Sequence, residues 1–205
     1  MTAHRVGIMG GTFDPVHLGH LAAAAEVSAA LELESVVFSP AAGPWHKPTA
    51  HLAPAADRLA MLTLALQDKP QFRLTTADLD RGGDTYTIDT LDDLDAQFAK
   101  DHPGDSVEWF FITGADALAS LPSWKSPDEL LRRATFVGVT RPGHDLLPPA
   151  NAASDRIVLV EIEGIEISST EIRARIARGE SIAGLVPQTV ADYIREHDLY
   201  RGLPA

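Results

Sequence analysis

Val6-Gly7-Ile8-Met9 runs straight into Gly10-Gly11-Thr12-Phe13-Asp14-Pro15-Val16-His17-Leu18-Gly19-His20, and the reading of this stretch decides the fold. The short apolar run predicts a buried strand. Gly10 and Gly11 predict a sharp turn at its end, where a backbone without Cβ atoms can come close to a ligand. A helical stretch over residues 18–31 follows, with Leu21, Ala25, Ser28 and Leu31 at roughly helical spacing. Strand, glycine turn and helix start, in that order, make an anion site. The first N–H groups of a helix lack intrahelical acceptors, and the dipole is positive there. His17 and His20 stand three residues apart, so both imidazoles can face one side of the helix start and donate to phosphate oxygens.

Two plainer readings compete with this one. An ordinary strand-turn-helix with incidental histidines needs no ligand, and a histidine pair at this spacing can also hold zinc. The chain has no cysteine, and no further histidine or acidic residue stands at a telling interval, so no resident metal is expected. The G-x-G-x-x-G fingerprint is absent, which disfavours a dehydrogenase-type dinucleotide site.

Outward from this turn, the chain alternates strand and helix. Residues 35–38, 72–74, 107–113, 136–140 and 157–162 read as strands, while 57–66 and 87–99 read as helices. Trp109, Phe110 and Phe111 are expected as core strand residues, and Asp92, Asp93 and Asp95 as a solvated helix face. Such alternation predicts an α/β, Rossmann-like three-layer fold with a mainly parallel sheet. A Pro/Gly-rich loop spans residues 142–154, and helices over 169–178 and 188–196 form a small C-terminal helical part, with Pro187 in the first turn of the last helix. The expected organisation is a single domain over residues 1–205, with a core over 1–166 and a helical part over 167–205. In a parallel sheet, ligands bind beyond the carboxyl ends of the strands. The Gly10 turn, the loop near His46 and the segments at Gly114 and Arg141 all fall at such ends.

The chain's 205 residues are enough to bury a core without cross-links. A formal net charge of -12 argues against broad binding to nucleic acid or to an anionic membrane surface. No signal-like leader or membrane-length apolar span is visible, so a soluble cytoplasmic protein is expected. An acidic protein can still hold small anions through a few local cations and helix starts.

Those cations sit in recognisable places. Ile167-Ser168-Ser169-Thr170-Glu171-Ile172-Arg173 opens the C-terminal helical part. Ser168 and Glu171 have capping-box spacing, which needs no ligand. Three hydroxyls and Arg173 beside a helix start also make a second anion site. Pro44-Trp45-His46-Lys47 adds two cationic residues after the second strand. Thr87 or Asp89 could simply cap the helix that follows Arg81-Gly82-Gly83-Asp84-Thr85-Tyr86.

Taken together, these segments resemble a known family. Gly10 to His20 is similar to the signature of the HxGH nucleotidyltransferase superfamily, whose two histidines contact ATP phosphates. Ile167 to Arg173 matches its ISSTxxR-type triphosphate element in full. Pro44-Trp45-His46-Lys47 resembles the PPHK segment of bacterial nicotinate-nucleotide adenylyltransferases, with Trp45 in place of the second proline. Residues 85–91 resemble the SYTxDTL element of that family, with Thr85 for serine, and residues 114–124 its GxDxLxxLxxW element. The resemblance runs from Val6 to Tyr200.

It implies transfer of the AMP part of ATP to nicotinate mononucleotide, with pyrophosphate leaving and Mg²⁺ accompanying ATP. On this reading His17, His20 and Arg173 are catalytic. Gly10, Gly11, Thr12, Phe13, Gly19, Gly114, Asp116, Ile167, Ser168, Ser169 and Thr170 bind ATP. His46 and Lys47 face the acceptor phosphate, Thr87 lies near the nicotinate carboxylate, and the Trp124 ring stacks on the pyridine. Sister enzymes acting on nicotinamide mononucleotide or phosphopantetheine, cytidylyltransferases, and a non-catalytic nucleotide sensor stand as alternatives.

Overall fold

Apolar runs along the central extended segments point successive side chains to opposite faces, and this builds a sheet buried on both faces. The computed structural model describes residues 2–43, 52–140, 155–163 and 167–202. β1 (Ala3–Gly11) is followed by α1 (Leu18–Ala30), β2 (Ser35–Pro40), α2 (Ala55–Leu66) and β3 (Phe72–Leu74). α3 (Ala77–Arg81) and α4 (Thr87–Asp101) lead to β4 (Ser106–Gly114), α5 (Ala115–Ala119) and a 3-10 turn (Leu121–Ser123). Then come α6 (Pro127–Arg133), β5 (Ala134–Thr140), β6 (Ile157–Glu161), α7 (Ser169–Ala177) and α8 (Gln188–Glu196). The strands form one sheet in the order β3-β2-β1-β4-β5-β6, and every neighbouring pair is parallel.

The period-2 pattern assigns each strand residue to a layer. Met9, Val36, Phe38, Phe110, Ile112 and Val137 join one core, shared with Leu21, Ala24 and Val27 of α1, with α2, and with Ile172 and Val190 of α7 and α8. Val6, Ile8, Val37, Trp109, Phe111 and Phe136 join the other, shared with Ile88, Leu91 and Leu94 of α4, Leu118 of α5 and Leu130 of α6. Each fully buried side chain of this size contributes about 1.5–3 kcal/mol. This outweighs the local preferences of the helices and gives the three-layer α/β/α fold.

Several local expectations change. Gly10 and Gly11 do not turn but continue β1, paired with Ser39 and Pro40 of β2. The reversal comes afterwards, where Phe13 adopts φ 49°. A Cβ on Gly11 would meet the Phe13 ring at 3.2 Å, so it is close packing rather than a positive φ that disfavours a side chain there. The buried face of α1 is Leu21, Ala24 and Val27, and Ala25 is exposed. An alanine-rich helix has no distinct apolar stripe, so its orientation is set by what it packs on. The acidic run on α4 is exposed but paired: Arg133 reaches Asp92 (2.6 Å) and Asp95 (2.7 Å), Arg81 reaches Asp93, and Trp109 Nε1 donates to Asp95 (2.5 Å). The short helices α3, α5 and α6 were not expected, because five to seven residues are too few to show periodicity.

Chain direction then locates the functional edge. From β1 the sheet grows towards β2 and β3 on one side and, through α4, towards β4 and β5 on the other. At this reversal of strand order the loops leave β1 and β4 in opposite directions, and a crevice opens at their carboxyl ends. The C-terminal helices close one side of it. Leu18 N–H donates to the Leu185 carbonyl (2.9 Å), Ser169 Oγ to the Pro15 carbonyl (2.9 Å), and the Tyr193 hydroxyl to Asp57 on α2 (2.8 Å). No described helix is long and apolar enough to cross a membrane.

Candidate active site

The crevice holds two cavities with a common wall. One, of about 660 Å³, is lined by Gly10, Gly11, Thr12, Phe13, Asp14, His17, Gly19, His20, Gly114, Ile167, Ser168, Ser169, Thr170 and Arg173, among others. The second, of about 420 Å³, is lined by Ser39, Asp78, Thr85, Thr87, Thr90, Phe111, Ser120 and Trp124, among others. Gly10, Gly11, Thr12 and Thr113 border both. The shared wall is therefore the ends of β1 and β4, and a ligand in one cavity can meet a ligand in the other across it.

His17 and His20 are held by their own helix. His17 caps α1: its Nδ1 accepts from His20 N–H (3.3 Å), while His20 Nδ1 accepts from His17 N–H (3.3 Å). This is a capping box made of two imidazoles. The rings stack with centroids 3.6 Å apart. Because each Nδ1 accepts, each neutral ring carries its proton on Nε2, the nitrogen that serves as a donor. Phe13, buried in the core, packs edge-on against His20 at 5.1 Å and fixes that ring from behind. Gly19 N–H has no acceptor among the described residues.

A second helix start faces the same cavity. Ser168 caps α7 by accepting from Glu171 N–H (3.1 Å), but Glu171 does not return the bond. Its carboxylate instead accepts from Arg175 (3.0 Å) and Arg178 (3.4 Å), so only half of the expected capping box forms. The N–H groups of Ser169 and Thr170 have no acceptor among the described residues. Arg173 spans from α7 to the first turn: Nη1 donates to the Asp14 carbonyl (2.7 Å) and Nη2 to Thr170 Oγ1 (3.3 Å). Two positive helix ends, two imidazole donors and one guanidinium thus converge on one cavity, which suits a polyanion.

Residues behind the turn were not singled out from sequence. Asp14 is buried, and its Oδ1 accepts from Ala53 N–H (3.1 Å) and the Tyr200 hydroxyl (2.7 Å). Burial, and then the nearby Asp14 charge, hold the Tyr200 hydroxyl far above its ordinary ionisation range, so it stays a donor. Arg58 is only 2% exposed and donates to the carbonyls of Thr12 (2.8 Å), Ala41 (2.8 Å) and Ala53 (3.2 Å). Desolvation lowers its pKa, opposed by the charge of Asp14. An isolated Arg on a helical stretch carries no motif, and only its position beneath both loops gives it this role.

In the second cavity, Trp124 packs edge-on against Phe111 (5.9 Å) and Phe136 (6.0 Å), and its Nε1 donates to Ser120 Oγ (3.0 Å). It is half-buried, so one part of the ring is anchored while another lines the cavity. Lys125 links this segment to the start of α4, bonding Asp89 (2.9 and 3.0 Å) and lying over the Tyr86 ring. Neither Thr87 nor Asp89 caps α4, whose cap is Tyr86 with no side-chain bond. Thr87 instead lines the cavity. Thr85 Oγ1 accepts from Ala42 N–H (3.0 Å), and buried Asp78 accepts from Ser39 (2.6 Å), Thr90 (2.8 Å) and Arg81.

Most of the expected site residues are thus brought together. Gly114 ends β4 with nothing within 4 Å of where its Cβ would stand, leaving room at the cavity wall. Asp116 lies exposed in the first turn of α5 and lines neither cavity. His46, Lys47, Trp45 and Arg141 lie outside the described residues.

Comparison with known proteins agrees with this geometry. Residues 8–175 match the cytidylyltransferase-like family. A relative from Acidothermus cellulolyticus, named "probable nicotinate-nucleotide adenylyltransferase", is 50% identical over 197 residues, covering 96% of this chain and 94% of the relative. One of the same name from Salinispora arenicola is 48% identical, covering 94% of this chain and all of the relative. The fold is similar to that of a Plasmodium falciparum nicotinic acid mononucleotide adenylyltransferase complexed with NaAD, with a TM-score of 0.77, 20% identity and coverage of 96% and 97%. This chain belongs to the cytidylyltransferase-like family and, within it, to the nicotinate-nucleotide adenylyltransferases.

Proposed function

We propose that the protein joins nicotinate mononucleotide to the AMP part of ATP, giving nicotinate adenine dinucleotide and pyrophosphate. The observation that carries this reading is the pair of cavities sharing the wall at Gly10–Thr12 and Thr113. The cationic cavity suits the triphosphate, and the cavity bearing Trp124 and Thr87 suits a pyridine ring with a carboxylate.

An oxygen of the mononucleotide phosphate attacks the ATP α-phosphorus in line. The new P–O bond forms as the bond to the β-phosphate oxygen breaks, and the electron pair leaves with pyrophosphate. The nucleophile is already anionic, so no general base is required, and rate comes from positioning and charge neutralisation. His17 and His20 donate through Nε2, Arg173 supplies a fixed positive charge, and the start of α7 offers N–H and hydroxyl donors. His46 and Lys47 are assigned to the acceptor phosphate.

Mg²⁺ is proposed to arrive with ATP. Among the described residues lining the ATP cavity, Asp14 is the carboxylate, with Oδ1 held by Ala53 and Tyr200 and Oδ2 facing the Arg173 guanidinium at 3.7 Å. The lining thus favours a cation held mainly by phosphate oxygens, where it would screen the triphosphate charge. We assign the reaction to the cytoplasm and to a single domain over residues 1–205, with a core over 1–166 and a C-terminal helical part over 167–205. The test is pyrophosphate release from ATP: the enzyme releases it only with an acceptor mononucleotide, whereas a nucleotide sensor of the same fold releases none.

A further inference from the structure

At the opposite edge of the sheet, far along the strands from both cavities, three potential metal ligands meet. His4 lies near the start of β1, Asp105 immediately precedes β4, and His102 is the C-cap residue of α4. Parallel pairing of β1 with β4 places Ala3 beside Ser106 and thereby brings these chain segments together. One ligand atom from each residue lies within 4.8 Å of the other two.

We propose that His4, His102 and Asp105 bind one divalent transition-metal ion of the zinc class. Two imidazoles and a carboxylate are a donor set that such ions take, with water completing a tetrahedron. His4 Nε2 stands 3.4 Å from Asp105 Oδ2. That is long for a hydrogen bond. It matches the ligand-to-ligand edge of about 3.3 Å that a tetrahedron with bonds of about 2.0–2.1 Å requires. The His102 ring needs to close in by at most about 1.5 Å, within reach of a side-chain rotation at a partly exposed site.

The surroundings are already arranged for this. Glu34 Oε2 is 2.8 Å from His4 Nδ1, so the Nδ1 proton is held there and Nε2 is presented as the ligand atom. A carboxylate behind a ligating histidine fixes its tautomer and raises its basicity. Asp105 Oδ1 accepts from Thr2 N–H (2.7 Å), which leaves Oδ2 on the ligand side. The ring of His102 stacks on Phe98 at 4.7 Å and stands 5.0 Å from that of His4. The negative end of the α4 dipole also faces a cation placed there. A cavity of about 170 Å³, lined by His4, Glu34 and His102, gives a water ligand room. A bound ion would clasp the first strand to the α4–β4 connection.

Tag-free, chelator-treated full-length protein is titrated with Co²⁺ alone, following the visible absorption of low-coordinate cobalt, and with Zn²⁺ alone, following Tm. One ion per chain is expected to bind, raising Tm, with adenylyl transfer unchanged. His102→Ala and Asp105→Asn should each weaken Co²⁺ binding at least 10-fold, and Glu34→Gln by about 10–100-fold, as supporting carboxylates do elsewhere. Glu34→Gln keeps the proposal testable if either ligand variant fails to fold. Binding that survives all three changes, or that disappears only when His17 and His20 are replaced, would overturn it.

Discussion

Arg173 Nη1 donates to the backbone carbonyl of Asp14 at 2.7 Å, joining the start of α7 to the turn that follows β1 across 159 positions of sequence. The same Nη1 lies 3.7 Å from Asp14 Oδ2, so the guanidinium faces the cavity with its orientation fixed from behind. The two segments proposed to bind phosphate are therefore one mechanical unit.

Loss of that guanidinium should be felt in chemistry more than in stability. Arg173→Ala is expected to lower kcat by about 10²–10³-fold, the usual cost of one transition-state donor. Arg173→Lys should recover only part of this, because an ammonium lacks the fork that reaches a carbonyl and a phosphate together. Steady-state kinetics with circular dichroism on both variants checks this; near-normal turnover in Arg173→Ala would remove the residue from the mechanism.

His17 has two separable roles. Asparagine is an equally good helix cap, so His17→Asn should keep stability within about 0.5 kcal/mol. Its amide cannot replace the imidazole Nε2 donor, and kcat should fall by about 10²–10³-fold. Urea unfolding beside turnover separates the two roles. Equal losses in both would mean that the histidine is structural.

Arg58 makes the opposite prediction. Arg58→Ala leaves buried carbonyls of Thr12, Ala41 and Ala53 without a donor, each costing about 1–3 kcal/mol, so a loss of at least about 3 kcal/mol is expected. Chemical denaturation measures it. A change under about 1 kcal/mol would contradict the role given to this side chain.

Tyr200→Phe removes the hydroxyl that donates to Asp14 while keeping the packed ring. Asp14 Oδ2 already has no hydrogen-bond partner among the described residues, and Oδ1 would keep only the bond from Ala53 N–H, so loss of the hydroxyl should cost about 1–3 kcal/mol. Part of the effect should appear as a higher KM for ATP, since Asp14 positions Arg173. An unchanged Tm would show that the C-terminal contact carries no weight.

The legibility of this chain follows its physics. The layered α/β fold is readable because strands buried on both faces appear as apolar runs, and every expected strand is present. The Gly10-Gly11 pair predicts a turn, because sequence alone does not separate a glycine favoured by conformation from one favoured by close packing. The phosphate side was legible as two motifs, each beginning a helix. Arg58, Asp14 and Tyr200 were not, since their importance arises only where α2, the first turn and the chain's end meet. His102 and Asp105 stand three residues apart, but His4 is remote in sequence, and only strand pairing joins it to them.

The most direct test of the central claim is a steady-state comparison of nicotinate and nicotinamide mononucleotides as acceptors of AMP from ATP. A site that pairs its polar groups with a carboxylate should disfavour the neutral amide, and kcat/KM should be higher for the nicotinate form by at least about 10-fold. Trp124→Ala should raise KM for both pyridines while leaving that for ATP near its starting value. Equal kcat/KM for the two acceptors, or a preference for the amide, would contradict the acceptor assignment.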